Sequence, residues 1–141
     1  MATDTFNVFD DFKEQLAKGT HDLDGTHVIK VMLSNVAPIA TNSIKTDLTE
    51  IAAGNGYTAG GSASTPTLTE TGGTAKLVLT DVVVTASGGS VGPFRYVAVY
   101  NDTSASDNLI GWVDYGSAVT LSDGEAFTVD FDATNGVLTI S

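Results

Sequence analysis

No cysteine occurs in the 141 residues. Disulfides and thiolate chemistry are therefore excluded, and any metal site would have to do without sulfur ligands. Long apolar runs are also missing: nothing approaches the roughly 20 residues that span a bilayer. The opening Met1-Ala2-Thr3-Asp4-Thr5 lacks the basic and apolar regions of a signal peptide, so the chain is expected to be made and folded in a cytoplasm, with no membrane partner. Basic residues are scarce, 6 against 17 acidic ones, and the formal net charge of −11 sets up a field that repels nucleic acid. After Arg95 no base follows, while Asp102, Asp107, Asp114, Asp123, Glu125, Asp130 and Asp132 do. A solvated, aggregation-resistant acidic surface is the ordinary reading of that skew, with calcium or a basic partner as the alternative. The only histidines, His21 and His27, flank the turn Asp22-Leu23-Asp24-Gly25; no triad is assigned from them, and they could ligate zinc only with partners the sequence does not indicate.

What remains is one domain's worth of patterned chain, 1–141, large enough to bury a core without staples. Phe9, Phe12 and Leu16 recur at helical spacing, with Asp10, Asp11 and Glu14 mostly off that stripe, and predict an amphipathic helix over about 6–18. Thr5 or Asn7 would cap it, and Lys18-Gly19 would stop it. From His27 the period becomes two, and His27 to Leu33 reads as a strand. Ile44, Leu48 and Ile51 suggest a short helix within Ser43–Ala53, and the Gly, Ser and Thr of Gly54–Thr74 read as a long loop or as edge strands. Strand patterns then cover Lys76–Thr85, Phe94–Tyr100, Leu109–Tyr115, Glu125–Phe131 and Val137–Ile140, with the last two read as a hairpin turning at Asn135-Gly136. The expected fold is mainly β, an antiparallel β-sandwich or flattened barrel with one N-terminal helix.

Two stretches imitate chemical signatures. Gly88-Gly89-Ser90-Val91-Gly92 matches the hydrolase elbow G-x-S-x-G, but Pro93 and a strand pattern follow where a helix is needed. Gly54-Asn55-Gly56-Tyr57-Thr58-Ala59 matches a dinucleotide fingerprint without its βαβ context, and turn glycines explain it better. Asp22-Leu23-Asp24-Gly25 lacks the later ligands of a calcium loop and reads as an Asx turn. Asp130 and Asp132 would share a strand face, and the solvated-face reading is preferred over a cation site. No catalytic, cofactor or metal residues are assigned, so no enzyme and no cofactor are expected. Tyr96, Tyr100, Trp112 and Tyr115 could form a sugar-binding platform, although such aromatics are more often core or interface anchors.

Three stretches resemble a known kind of protein: Asp47-Leu48-Thr49-Glu50-Ile51-Ala52-Ala53-Gly54-Asn55-Gly56-Tyr57-Thr58-Ala59-Gly60-Gly61, Gly92-Pro93-Phe94-Arg95-Tyr96 and Leu109-Ile110-Gly111-Trp112-Val113-Asp114-Tyr115-Gly116. They are similar to a family of small virion structural proteins of tailed bacteriophages, over most of the chain and without any catalytic motif. The resemblance implies a non-enzymatic virion component. The expected role is a capsid decoration or cement protein that docks on the major capsid protein and self-associates, as a trimer by analogy with many such proteins. The alternatives are a tail, neck or fibre component, or a glycan-binding host-surface module. Phe9, Phe12, Leu16, Tyr96, Tyr100, Trp112 and Tyr115 are the expected interface residues, because together they exceed what a plain solvated shell requires.

Overall fold

The structure, a computed structural model, describes residues 4–141; Met1 to Thr3 lie outside them. The elements run β1 (Phe6–Val8), α1 (Asp10–Ala17), β2 (Ile29–Ser34), a 3-10 turn (Lys45–Asp47), β3 (Ser62–Ser64), β4 (Pro66–Thr71), β5 (Thr74–Leu79), β6 (Val82–Thr85), β7 (Val91–Asn101), β8 (Leu109–Leu121), β9 (Ala126–Val129) and β10 (Leu138–Ile140). The fold is mainly β with antiparallel sheets and one helix near the N-terminus, as the period-two patterning predicts. A five-stranded sheet of order β1-β8-β7-β2-β3 faces a three-stranded sheet, β10-β5-β4, and the ribbon β6-β9 in a sandwich-like arrangement.

Alternation along β7 explains how the sheet is buried on both sides. Val97 and Val99 point into the main core with Ile29, Val31, Leu33, Leu77, Val84 and Val129. Ala98 and Tyr100 point the other way, into a second cluster with Phe9, Met32 and Leu109. Successive strand residues face opposite sides, so one run of apolar residues serves two cores.

The helix is shorter than its pattern. Phe6–Val8 is extended and pairs with Gly111–Val113 of β8. The pairing is possible because position 111 is glycine: a Cβ there would meet the Phe6 ring at 2.3 Å. Phe9, extended and without a side-chain cap bond, precedes the first helical turn, so neither Thr5 nor Asn7 caps it. Instead Asp10 N–H donates to the Ala40 carbonyl at 2.9 Å. Gly19, at φ 81, provides the left-handed stop.

Three further expectations are corrected. Ser43–Ala53 forms only the 3-10 turn at Lys45–Asp47, whose start is held by the Asp47 carboxylate accepting from the Ser43 and Ile44 N–H groups. The pattern over Lys76–Thr85 is two strands, because the buried positions change parity from Leu77 and Leu79 to Val82 and Val84 as the chain changes sheets. Asp81 marks that corner by accepting from the Phe131 N–H at 2.9 Å. The final hairpin does not form: β9 pairs with β6 and β10 with β5. Asn135-Gly136 belongs to a crossing turn in which Asp132 accepts from the N–H groups of Thr134 and Asn135. Gly54–Thr74 contributes two edge strands, β3 and β4, one to each of the larger sheets.

Candidate docking surface

The seven aromatic and apolar residues expected at an interface divide by burial. Phe9 is 0% and Tyr100 1% exposed, both inside the second core, and Phe12 at 3% belongs to the main one. Phe9 and Tyr100 are covered by their own chain and offer no surface to a partner, whereas Phe12 shows only its edge, at the floor of a groove beside α1. Their burial follows from the strand at Phe6–Val8, which carries Phe9 down against β8, where its ring packs on Trp112 at 4.6 Å between centroids. Loss of Tyr100 also dismantles the four-aromatic sugar platform. Leu16, Tyr96 and Trp112 are half-buried, and Tyr115, at 37%, is the exposed member. Tyr115 packs edge-on against Phe127 at 5.1 Å, while Tyr96 lies under Arg95, whose guanidinium makes two hydrogen bonds to Asp114 at 2.8 and 3.1 Å. That fork, with the Gly116 N–H, holds the Asp114 carboxyl below the usual carboxylate range.

Part of the remaining apolar surface lies beside α1, while Val28 at 45% and Val83 of β6 at 59% are exposed apart from it. A groove of about 440 Å³ runs between β1 and α1 on one wall, through Val8, Phe12 and Leu16, and β10 on the other, through Leu138 and Ile140, with Lys13 also lining it. Near the helix start, the loop that supplies the Ala40 carbonyl presents Val36 at 55% and Ile39 at 63% exposure. Side chains of this kind in water are what a docking surface requires, although singly they are common on any protein.

The chemical look-alikes are separated or occupied. Ser90 is exposed just before β7, whereas His21 and His27 converge on Asn101 at its far end. Eleven residues of strand lie between them. At about 3.3 Å per residue that is roughly 35 Å, so no Ser-His pair forms. Asp24 N–H donates to the Asp22 carboxylate at 3.1 Å, which is the expected Asx turn. Asp130 follows the end of β9 and Asp132 is engaged in its own turn, so the two do not share a strand face. Among the described residues no group of three or more His, Cys, Asp or Glu side chains could hold a metal ion, and no helix is long and apolar enough to cross a membrane.

One polar cluster was not picked out from the sequence. Gly54 to Tyr57 forms a tight turn, with Asn55 at φ 56 and Gly56 at φ 101. The turn delivers the Tyr57 hydroxyl to the Leu33 N–H, which donates to it at 3.1 Å, and the hydroxyl donates to Glu50 Oε1 at 2.7 Å. Gly60 N–H donates to the same carboxylate oxygen at 2.6 Å, and the Tyr100 hydroxyl donates to the Gly60 carbonyl. Burial, followed by Glu50, pushes the Tyr57 phenol above its ordinary pKa. Each of these groups satisfies another, so the cluster fastens the loop to β2 and β7 and leaves no reactive group free. The chain matches no protein-family model, no curated protein and no solved structure.

Proposed function

We propose that this chain is a non-enzymatic structural protein of a tailed-phage virion and that it decorates the capsid, docking on the major capsid protein through the side of the molecule that carries α1 and β10. The observation that carries the reading is the resemblance of three stretches to small phage virion proteins. Those stretches coincide with scaffold elements: Glu50, the turn at Gly54–Tyr57 and Gly60 tie the loop down, while Tyr96 pairs with Asp114 across β7 and β8. Residues that hold a scaffold together in this way suit an assembly role.

The charge supports the same reading. A net charge of −11 keeps free copies apart and away from packaged DNA until a specific apolar contact wins. Each contact can be modest, because repetition over a lattice and self-association, as a trimer, multiply it through avidity. Add-back is the test: purified protein mixed with particles that lack it should bind heads and delay thermal release of DNA. Binding only to tails would replace decoration by a tail, neck or fibre role, and binding to neither would remove the structural reading.

A further inference from the structure

Asn101 is completely buried at the end of β7, and its amide orientation is fixed by chemistry. Its Oδ1 accepts from the backbone N–H groups of Thr103 at 2.9 Å and Ser104 at 3.2 Å, and backbone N–H groups only donate. The opposite atom is therefore the NH₂ nitrogen. That nitrogen lies 2.9 Å from His27 Nδ1 and 3.2 Å from His21 Nδ1, with the Thr20 carbonyl at 3.4 Å. A donor facing two imidazole nitrogens requires a lone pair on each. For His27 the requirement is doubled, because Asp22 N–H also donates to its Nδ1, at 3.2 Å. Both rings are thus neutral Nε2–H tautomers, and the His21 Nε2–H is buried without an acceptor.

We propose that His21, His27 and Asn101 form an acid-sensitive latch, which ties the connection between α1 and β2 to the turn between β7 and β8 only while both imidazoles are neutral. A second proton on either ring can go only to Nδ1, where the new N–H would point at the Asn101 N–H donors. The latch then opens. Its failure spreads first into the 101–108 turn, where Asn101 N–H donates to the Asn108 carbonyl at 2.9 Å and the Asp107 carbonyl accepts from Lys45 N–H at 3.0 Å. The loop from Thr20 to His27 loses its anchor in the same event.

The surroundings of His21 agree. Phe12 of α1 stacks on it at 5.2 Å, His27 opposes a positive charge from its own loop, and Asp11 of α1 favours one. Lys30 of β2 and Asp102 of the turn are paired at 3.1 Å and offset each other. Burial outweighs Asp11 and, with His27, depresses His21 to about 4. An unfolded histidine takes its proton near 6.5, so the stability that the neutral ring contributes is fully present above that pH and is lost as pH falls toward about 4, where the latch itself opens.

The test is a pH titration of the full ¹⁵N-labelled chain by NMR, reading imidazole nitrogens and amide protection together. Expected are Nε2–H tautomers for both rings at neutral pH and a His21 midpoint near 4. The amides of Asp22, Thr103 and Ser104 should lose protection at a higher pH than that of Val97 in the middle of β7. In Asn101→Asp the donor becomes an acceptor, and the His21 midpoint should rise by about two pH units or more. An Nδ1–H tautomer, a wild-type midpoint near 6.5, or loss of all four amides at one pH would overturn the proposal. The wild-type readings decide the matter if Asn101→Asp does not fold.

Discussion

Replacing Tyr57 by phenylalanine removes one oxygen and nothing else from the core. The ring stays, since Tyr57 is only 4% exposed and packs with the main cluster. What is lost is the acceptor for the Leu33 N–H and a donor to Glu50. Leu33 is 1% exposed, so water does not easily replace the hydroxyl, and an unsatisfied buried N–H costs about 1 to 3 kcal/mol. Glu50 keeps the Gly60 N–H and, at 4.0 Å, the Lys45 ammonium, so its share of the loss is the smaller. For a domain of this size each kcal/mol lowers Tm by roughly 3 to 4 °C, which predicts a drop of about 3 to 12 °C in Tyr57→Phe. Urea unfolding gives the free energy directly, and hydrogen exchange at the Leu33 amide locates it. A double-mutant cycle with Glu50→Gln should return a coupling of about 0.5 kcal/mol or more. A change in stability below about 0.5 kcal/mol, with the Leu33 amide still protected, would refute the assignment of this hydroxyl as the partner of Leu33.

Gly61 and Gly116 both have positive φ, at 81° and 96°, but only at Gly61 would a Cβ collide, 1.8 Å from the Val31 carbonyl oxygen. Gly61→Ala should therefore prevent or severely weaken folding, whereas Gly116→Ala should cost only about 1 kcal/mol of backbone strain, both read by chemical denaturation. Phe9→Ala, at a residue with 0% exposure, should cost about 3 to 5 kcal/mol of stability in the isolated chain, which distinguishes a core residue from the interface residue expected at first. Stability should fall as pH drops from 6.5 to about 4, because the unfolded chain binds the His21 proton first. The loss is up to about 3 kcal/mol at 1.36 kcal/mol per pH unit, and His21→Phe should flatten that part of a urea-midpoint profile.

The strands were legible where one face, or both, are apolar over five or more residues. His27–Leu33 overlaps β2 and Phe94–Tyr100 lies within β7, because Val, Ile and Tyr at period two leave little else to be. Phe6–Val8 was misread because Phe9, Phe12 and Leu16 carry a helical period, and helical spacing does not say where a helix begins. Its start is set by pairing with Gly111, more than a hundred residues away, and by the Ala40 carbonyl. Asn135-Gly136 favours a hairpin locally, yet Leu77 and Val84 claim β10 and β9 for different sheets. The shift from Leu77 and Leu79 to Val82 and Val84 is visible in the sequence as a parity change, and it was the available signal that the two strands part. The Tyr57 cluster and the His21 latch were not legible. Both depend on hydroxyl, amide and imidazole atoms brought together from distant loops, and no spacing rule encodes them.

Quantitative mass spectrometry of purified particles is the sharpest test of the proposed structural role in a virion. A decoration role predicts this chain at a copy number on the order of hundreds per particle, in fixed ratio to the major capsid protein, as symmetric occupation of a lattice requires. Absence of the chain from washed, intact particles would rule that role out.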